Sequence, residues 1–63
     1  MNEMKCNRLS SKLTQLQLAR MIGTDRTTIT KIENDYSLPS IQTAKKIAKV
    51  LNFDWTLFYK DIE

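Results

Sequence analysis

Apolar residues recur along this chain at the three- and four-residue spacing of helices, and the chain reads as five helices and no strand. Residues 2–11 form a first predicted helix with a thin apolar face of Met4 and Leu9, which Cys6 is expected to join as a small buried thiol. Leu18, Ala19 and Ile22 define a second helix, and Ile29 and Ile32 a third. Ile41, Ala44, Ile47, Ala48 and Leu51 define the longest, a fourth. Trp55, Phe58 and Tyr59 share one face of a short fifth helix over residues 55–60, with Leu57 pointing roughly the other way.

Punctuation between the segments supports this division. Thr14 with Gln17 three residues later is a capping box for the second helix, and Leu13 before it is placed to close over Leu18. Gly23 falls where that helix must stop, because glycine reaches the left-handed conformation without a side-chain clash. Thr24 is then expected to cap the third helix, with Asp25 against the positive end of its dipole. Pro39 bars helix just before it, and Ser40 can cap the fourth helix. Asn52 suits the end of that helix, and Asp54 caps the fifth.

Two short helices joined by a tight glycine turn are a helix-turn-helix, here about residues 15–34. On the second of them Arg26, Thr27, Thr30 and Lys31 cluster apart from the apolar stripe. The sequence resembles the Cro/phage-repressor (XRE-like) helix-turn-helix DNA-binding family from about Met4 to Tyr59. The resemblance rests on Thr14-Gln15, Leu18-Ala19, Ile22-Gly23, Ile29, Ile32-Glu33-Asn34, Pro39-Ser40 and the run Ile47-Ala48-Lys49-x-Leu51, in order and at family spacing. It implies an all-α, compact five-helix domain of the lambda-repressor-like DNA-binding fold, occupying residues 1–63 as one unit.

The resemblance also assigns roles. Gln15 matches the family's phosphate-binding glutamine, and Arg8 aligns with an arginine that pairs with the glutamate at the end of the recognition helix, here Glu33. Arg26, Thr27, Thr30 and Lys31 are the expected base readers. Arg26 leads because a guanidinium fork matches O6 and N7 of guanine. Thr24, Thr28, Asn34, Tyr36 and Ser37 are expected at the DNA backbone. The chain departs from the family pattern at three kinds of place. Asp35 stands where glycine is usual, Ser37 where a basic residue is common, and Leu16, Met21 and Leu57 where polar residues are usual. Leu57 is a dimer-interface candidate, since a short terminal helix is where such domains often pair.

Composition narrows the function further. At 63 residues there is room for one small core, which buries only about 60% of the unfolded surface. No apolar run approaches the ~18 residues of a membrane span, and the first residues do not read as a signal peptide. A single cysteine and no histidine leave no disulfide, metal site or cofactor expected, and no nucleophile–base pair for an enzyme. The net charge is +3. Before Glu33 the basic residues Lys5, Arg8, Lys12, Arg20, Arg26 and Lys31 face only Glu3 and Asp25, so the excess lies with the helix-turn-helix half.

The expectation is therefore a cytoplasmic regulator, bacterial or phage-encoded. It would bind double-stranded DNA in sequence-specific fashion, act as a repressor, and pair as a homodimer on an inverted repeat, with no membrane or small-molecule partner. The alternative is a protein-binding module of the same fold, an antitoxin or antirepressor, for which Leu16, Met21 and Leu57 speak.

Overall fold

The computed structural model describes residues 2–59. Four α-helices follow one another: α1 (Asn2–Ser10), α2 (Gln15–Ile22), α3 (Arg26–Glu33) and α4 (Ile41–Leu51). A 3₁₀ helix, Trp55–Tyr59, comes last, and no strand occurs among the described residues. α2 packs most closely against α3, and α4 closes the core beneath them and receives the 3₁₀ helix. Met4, Leu18, Ile29, Ile32 and Ile47 are the largest fully buried side chains, so every α-helix sends at least one large residue to the same centre. Leu13, Val50, Phe53, Trp55 and Tyr59 pack around that core, and Phe53 meets Phe58 at a ring-centroid distance of 5.5 Å.

The starts of the helices follow side-chain capping chemistry. Thr14 accepts from Gln17 N while Gln17 Oε1 accepts from Thr14 N, a complete capping box. Ser40 accepts from Thr43 N in the same way at α4. α3 begins one residue later than the sequence suggests: Asp25, not Thr24, is its N-cap, accepting from Thr28 N at 2.8 Å. The reason is that Thr24 already serves the end of α2, its N–H donating to Ala19 O.

All four α-helices end alike. A residue with positive φ follows each one: Lys12 (59°), Gly23 (77°), Asp35 (61°) and Asn52 (60°). The next N–H then reaches back five residues, from Leu13 to Arg8 O, Thr24 to Ala19 O, Tyr36 to Lys31 O, and Phe53 to Ala48 O. This is the six-to-one bond of the Schellman motif, which satisfies a carbonyl the helix leaves open. Only one of the four uses glycine.

Several expectations are corrected here. The last helix is a five-residue 3₁₀ turn rather than an α-helix, held by Asp54, whose carboxylate accepts from Thr56 N and whose carbonyl accepts from Leu57 N. So short a segment completes too few α-type bonds to offset its nucleation. Position 60, included in that expected helix, lies outside the described residues. Cys6 is exposed, and Leu9 keeps 56% of its surface in solvent. On α1 the buried face belongs to Met4 and Arg8, about 40° apart, whereas Cys6 and Leu9 lie about 160° and 140° from Met4. Ile41 is also mostly exposed, because it sits in the first turn of α4 at the edge of the stripe. Leu57 is half-buried along a small hollow shared with Ile32, Leu38 and Pro39.

Candidate nucleic-acid interface

α3 is fixed from behind and bare in front. Ile29, Ile32 and Glu33 are buried, while Arg26, Thr27 and Lys31 are exposed and Thr30 is half-buried. Together with Tyr36, which is 80% exposed, these four outward residues line one shallow depression. Thr28 is half-buried at the start of the helix, where its N–H closes the Asp25 cap. Hydrogen bonds from Thr28, side chain and backbone, hold the Asp25 carboxyl below its ordinary value of 3.8, so the cap stays ionised at neutral pH. A negative charge there suits the helix dipole. Thr24 is half-buried, and Asn34 and Ser37 are exposed around the turn that leaves α3.

Behind this face runs a polar network. Arg8 Nε donates to Glu33 Oε2 at 2.7 Å and Arg8 Nη2 to Glu33 Oε1 at 3.2 Å. Arg8 Nη1 also donates to Leu13 O at 2.8 Å. Gln15, the first residue of α2, donates from Nε2 to Glu33 Oε1 at 3.2 Å and accepts at Oε1 from the Thr30 hydroxyl at 2.8 Å. The same hydroxyl lies 3.1 Å from Arg26 O. Among the described residues no buried side-chain polar atom lacks a hydrogen-bond partner. The network therefore joins α1, α2 and α3 by contacts that have direction as well as strength.

Gln15 is thus not a free arm. It is half-buried and turned onto α3, and it also lines a larger depression of about 620 Å³. Arg26 borders that depression too, along with Lys12, Leu9 and Leu16. Lys12 is a residue to which the sequence pattern attached no role. Its backbone is left-handed, it lines the same depression as Gln15 and Arg26, and nothing in a lysine residue announces that conformation. Not all of the basic excess is here. Arg20 joins Lys46 and Lys49 around a separate hollow that Met21 and Val50 also line.

A short helix with one face in the core and the other exposed, with cationic and hydroxyl groups outward and a preceding helix buttressing it across a glycine turn, defines a helix-turn-helix domain. The family description "Helix-turn-helix" matches residues 7–58. The chain belongs to this family, in its Cro/phage-repressor (XRE-like) branch. It is also similar to YqaF of Bacillus subtilis (strain 168), an uncharacterized HTH-type transcriptional regulator, with 41% identity over 59 residues. That match covers 94% of this chain and 78% of the relative. No solved structure matches the chain.

Among the described residues no group of three or more His, Cys, Asp or Glu side chains could hold a metal ion. No described helix is long and apolar enough to cross a membrane.

Proposed function

We propose that this protein is a sequence-specific double-stranded DNA-binding transcriptional regulator. Its α3 enters the major groove, and two copies related by a twofold axis read an inverted-repeat operator and repress by occlusion. The observation that carries this reading is the exposed cluster of Arg26, Thr27 and Lys31 on a helix whose opposite face is locked into the core. A helix about 10–12 Å across fits a major groove about 12 Å wide. Arg26 then faces a guanine, Thr27 a thymine methyl or a mixed edge, and Lys31 a guanine or a phosphate. Gln15, Lys12 and the exposed Tyr36 border the depressions on either side of these residues and are suited to phosphates, which carry affinity and register but no sequence information. Thr24, Thr28, Asn34 and Ser37 complete the backbone set. One domain spans too little duplex for useful selectivity, whereas two would address half-sites about 34 Å apart.

Selection of bound duplexes from a random pool tests this reading directly. A recovered inverted repeat supports both the base readers and the pairing. A pool that stays random, with binding that vanishes only at high salt, leaves a nonspecific DNA binder and overturns the regulator.

The second reading, a protein-binding module, draws on Leu16 and Met21, which keep 43% and 58% of their surface in solvent on α2. Salt separates the two: binding through several phosphates falls steeply between about 50 and 200 mM, and an apolar protein interface does not.

A further inference from the structure

We propose that Thr30 keeps its hydroxyl proton inside the protein to hold Gln15 at the phosphate, and therefore offers DNA only a lone pair and a methyl group, which disfavours a guanine edge. This rests on the DNA-binding reading above and specifies which bases α3 accepts.

The argument follows proton directions. Both Glu33 oxygens are engaged by the Arg8 guanidinium, so the carboxylate is an acceptor at each. The Gln15 amide meets Glu33 Oε1 at 3.2 Å, and only its nitrogen end can do so without setting oxygen against oxygen. That fixes the amide, and its oxygen necessarily faces Thr30, 2.8 Å away. An amide oxygen only accepts, so the Thr30 hydroxyl is the donor. Its other near neighbour, Arg26 O at 3.1 Å, is a carbonyl and also only accepts. A hydroxyl has one proton, and both oxygens beside it compete for that proton.

What is left at Thr30 is a lone pair and the γ-methyl. The lone pair matches the amino groups of adenine N6 or cytosine N4, and the methyl matches the thymine C5-methyl. Guanine presents O6 and N7, both acceptors, so it would meet Thr30 lone pair to lone pair. Gln15 is specified by the same chain. With its oxygen and one amide hydrogen used, it keeps a single donor, which suits a phosphate oxygen. Thr30 is thus a positioning residue for Gln15 and a reader in its own right, through different atoms.

The two roles separate in Thr30→Val, which keeps the shape and a methyl but has no hydroxyl, and Thr30→Ser, which keeps the hydroxyl but has no methyl. Each is measured with Gln15→Ala and the double variants, by equilibrium binding to the selected duplex, its single-base-pair variants and a scrambled duplex. Circular dichroism confirms that each variant is folded. Thr30→Val should weaken binding to the scrambled duplex by roughly 3- to 10-fold, the scale of one net hydrogen bond, and should lose any preference for an adenine or cytosine amino group at its base pair while keeping a preference for the thymine methyl. On the scrambled duplex, added to Gln15→Ala, it should cost little more. Thr30→Ser should retain binding to scrambled DNA and lose discrimination at one base pair. Full additivity of Thr30→Val with Gln15→Ala, or a guanine preference that Thr30→Val abolishes, overturns the inference and leaves the DNA reading intact. A folded wild-type protein that binds no duplex even at low salt overturns both.

Discussion

Arg8 and Glu33, 25 positions apart, meet inside the domain through two charge-assisted hydrogen bonds, with side chains only 8% and 2% exposed. The pair ties α1 to the end of α3, and Gln15 and Leu13 O take up further bonding capacity on either side of it. Two desolvated charges do not make a fold stable by themselves, because the cost of removing them from water offsets most of their attraction. Their value here is directional: they set where the end of α3 sits.

Breaking the pair on one side should therefore be severe. Arg8→Ala or Glu33→Ala leaves a buried charge without its partner and should cost about 3–5 kcal/mol, a large part of the stability of a domain this size. Replacing both by apolar residues, Arg8→Met with Glu33→Leu, should recover most of that loss. Urea denaturation of the three variants measures it, and a double variant as unstable as the singles would contradict the account.

On the outer face of α3, Arg26→Ala should relax sequence preference and cost about 1–3 kcal/mol of specific binding. Gln15→Ala should weaken cognate and scrambled duplexes by the same factor. Equal losses on both duplexes for both variants would refute the assignment of Arg26 as a base reader.

The helix ends give a prediction in two directions. Lys12 is exposed and has φ 59°, which a residue bearing a Cβ adopts at a cost of about 1–2 kcal/mol. Lys12→Gly should raise stability by about 0.5–1 kcal/mol, the strain relieved less the entropy glycine adds to the unfolded chain. The same change should lower DNA affinity uniformly and reduce the salt slope by about one phosphate. At Gly23 a Cβ would meet nothing within 4 Å, so Gly23→Ala should destabilise by about 1 kcal/mol through backbone strain alone. Thermal melts and salt-titrated binding separate these effects.

Acid should loosen the helix starts first. Asp25 and Asp54 are both held below 3.8, by bonds from Thr28 and Thr56 respectively. A carboxyl depressed in the folded state stabilises it fully above the unfolded value, and that contribution fades as pH falls through the folded one. Stability should thus decline below about pH 4. Asp25→Asn should flatten the acid limb while leaving a cap in place. An unchanged acid limb in that variant would show that Asp25 plays no part in it.

Much of this architecture was legible because its signals are local. Thr14 with Gln17, Gly23, Ser40 and Asn52 act within one turn, so their chemistry is complete in the sequence, and the stripes through Leu18, Ile22, Ile29, Ile32 and Ile47 follow from helical spacing. What escaped was decided by competition between elements. Thr24 and Asp25 are both good caps, and the bond from Thr24 N to Ala19 O settles between them. Met4 and Arg8, rather than Leu9 or Cys6, face inward on α1 because Glu33 lies there to receive the guanidinium. At the candidate interface, the residue types on the outer face of α3 were evident, but the inward turn of Gln15 and the conformation of Lys12 depend on neighbours and backbone that no spacing reveals.

Trp55, the single indole of the chain, sits half-buried with Lys45 Nζ 5.2 Å from its ring and Tyr59 edge-on at 6.0 Å. Its surroundings are α4 and the 3₁₀ turn. The domain consequently carries a built-in optical probe: emission should redden when the terminal turn peels from α4, and hold steady while α3 engages a duplex.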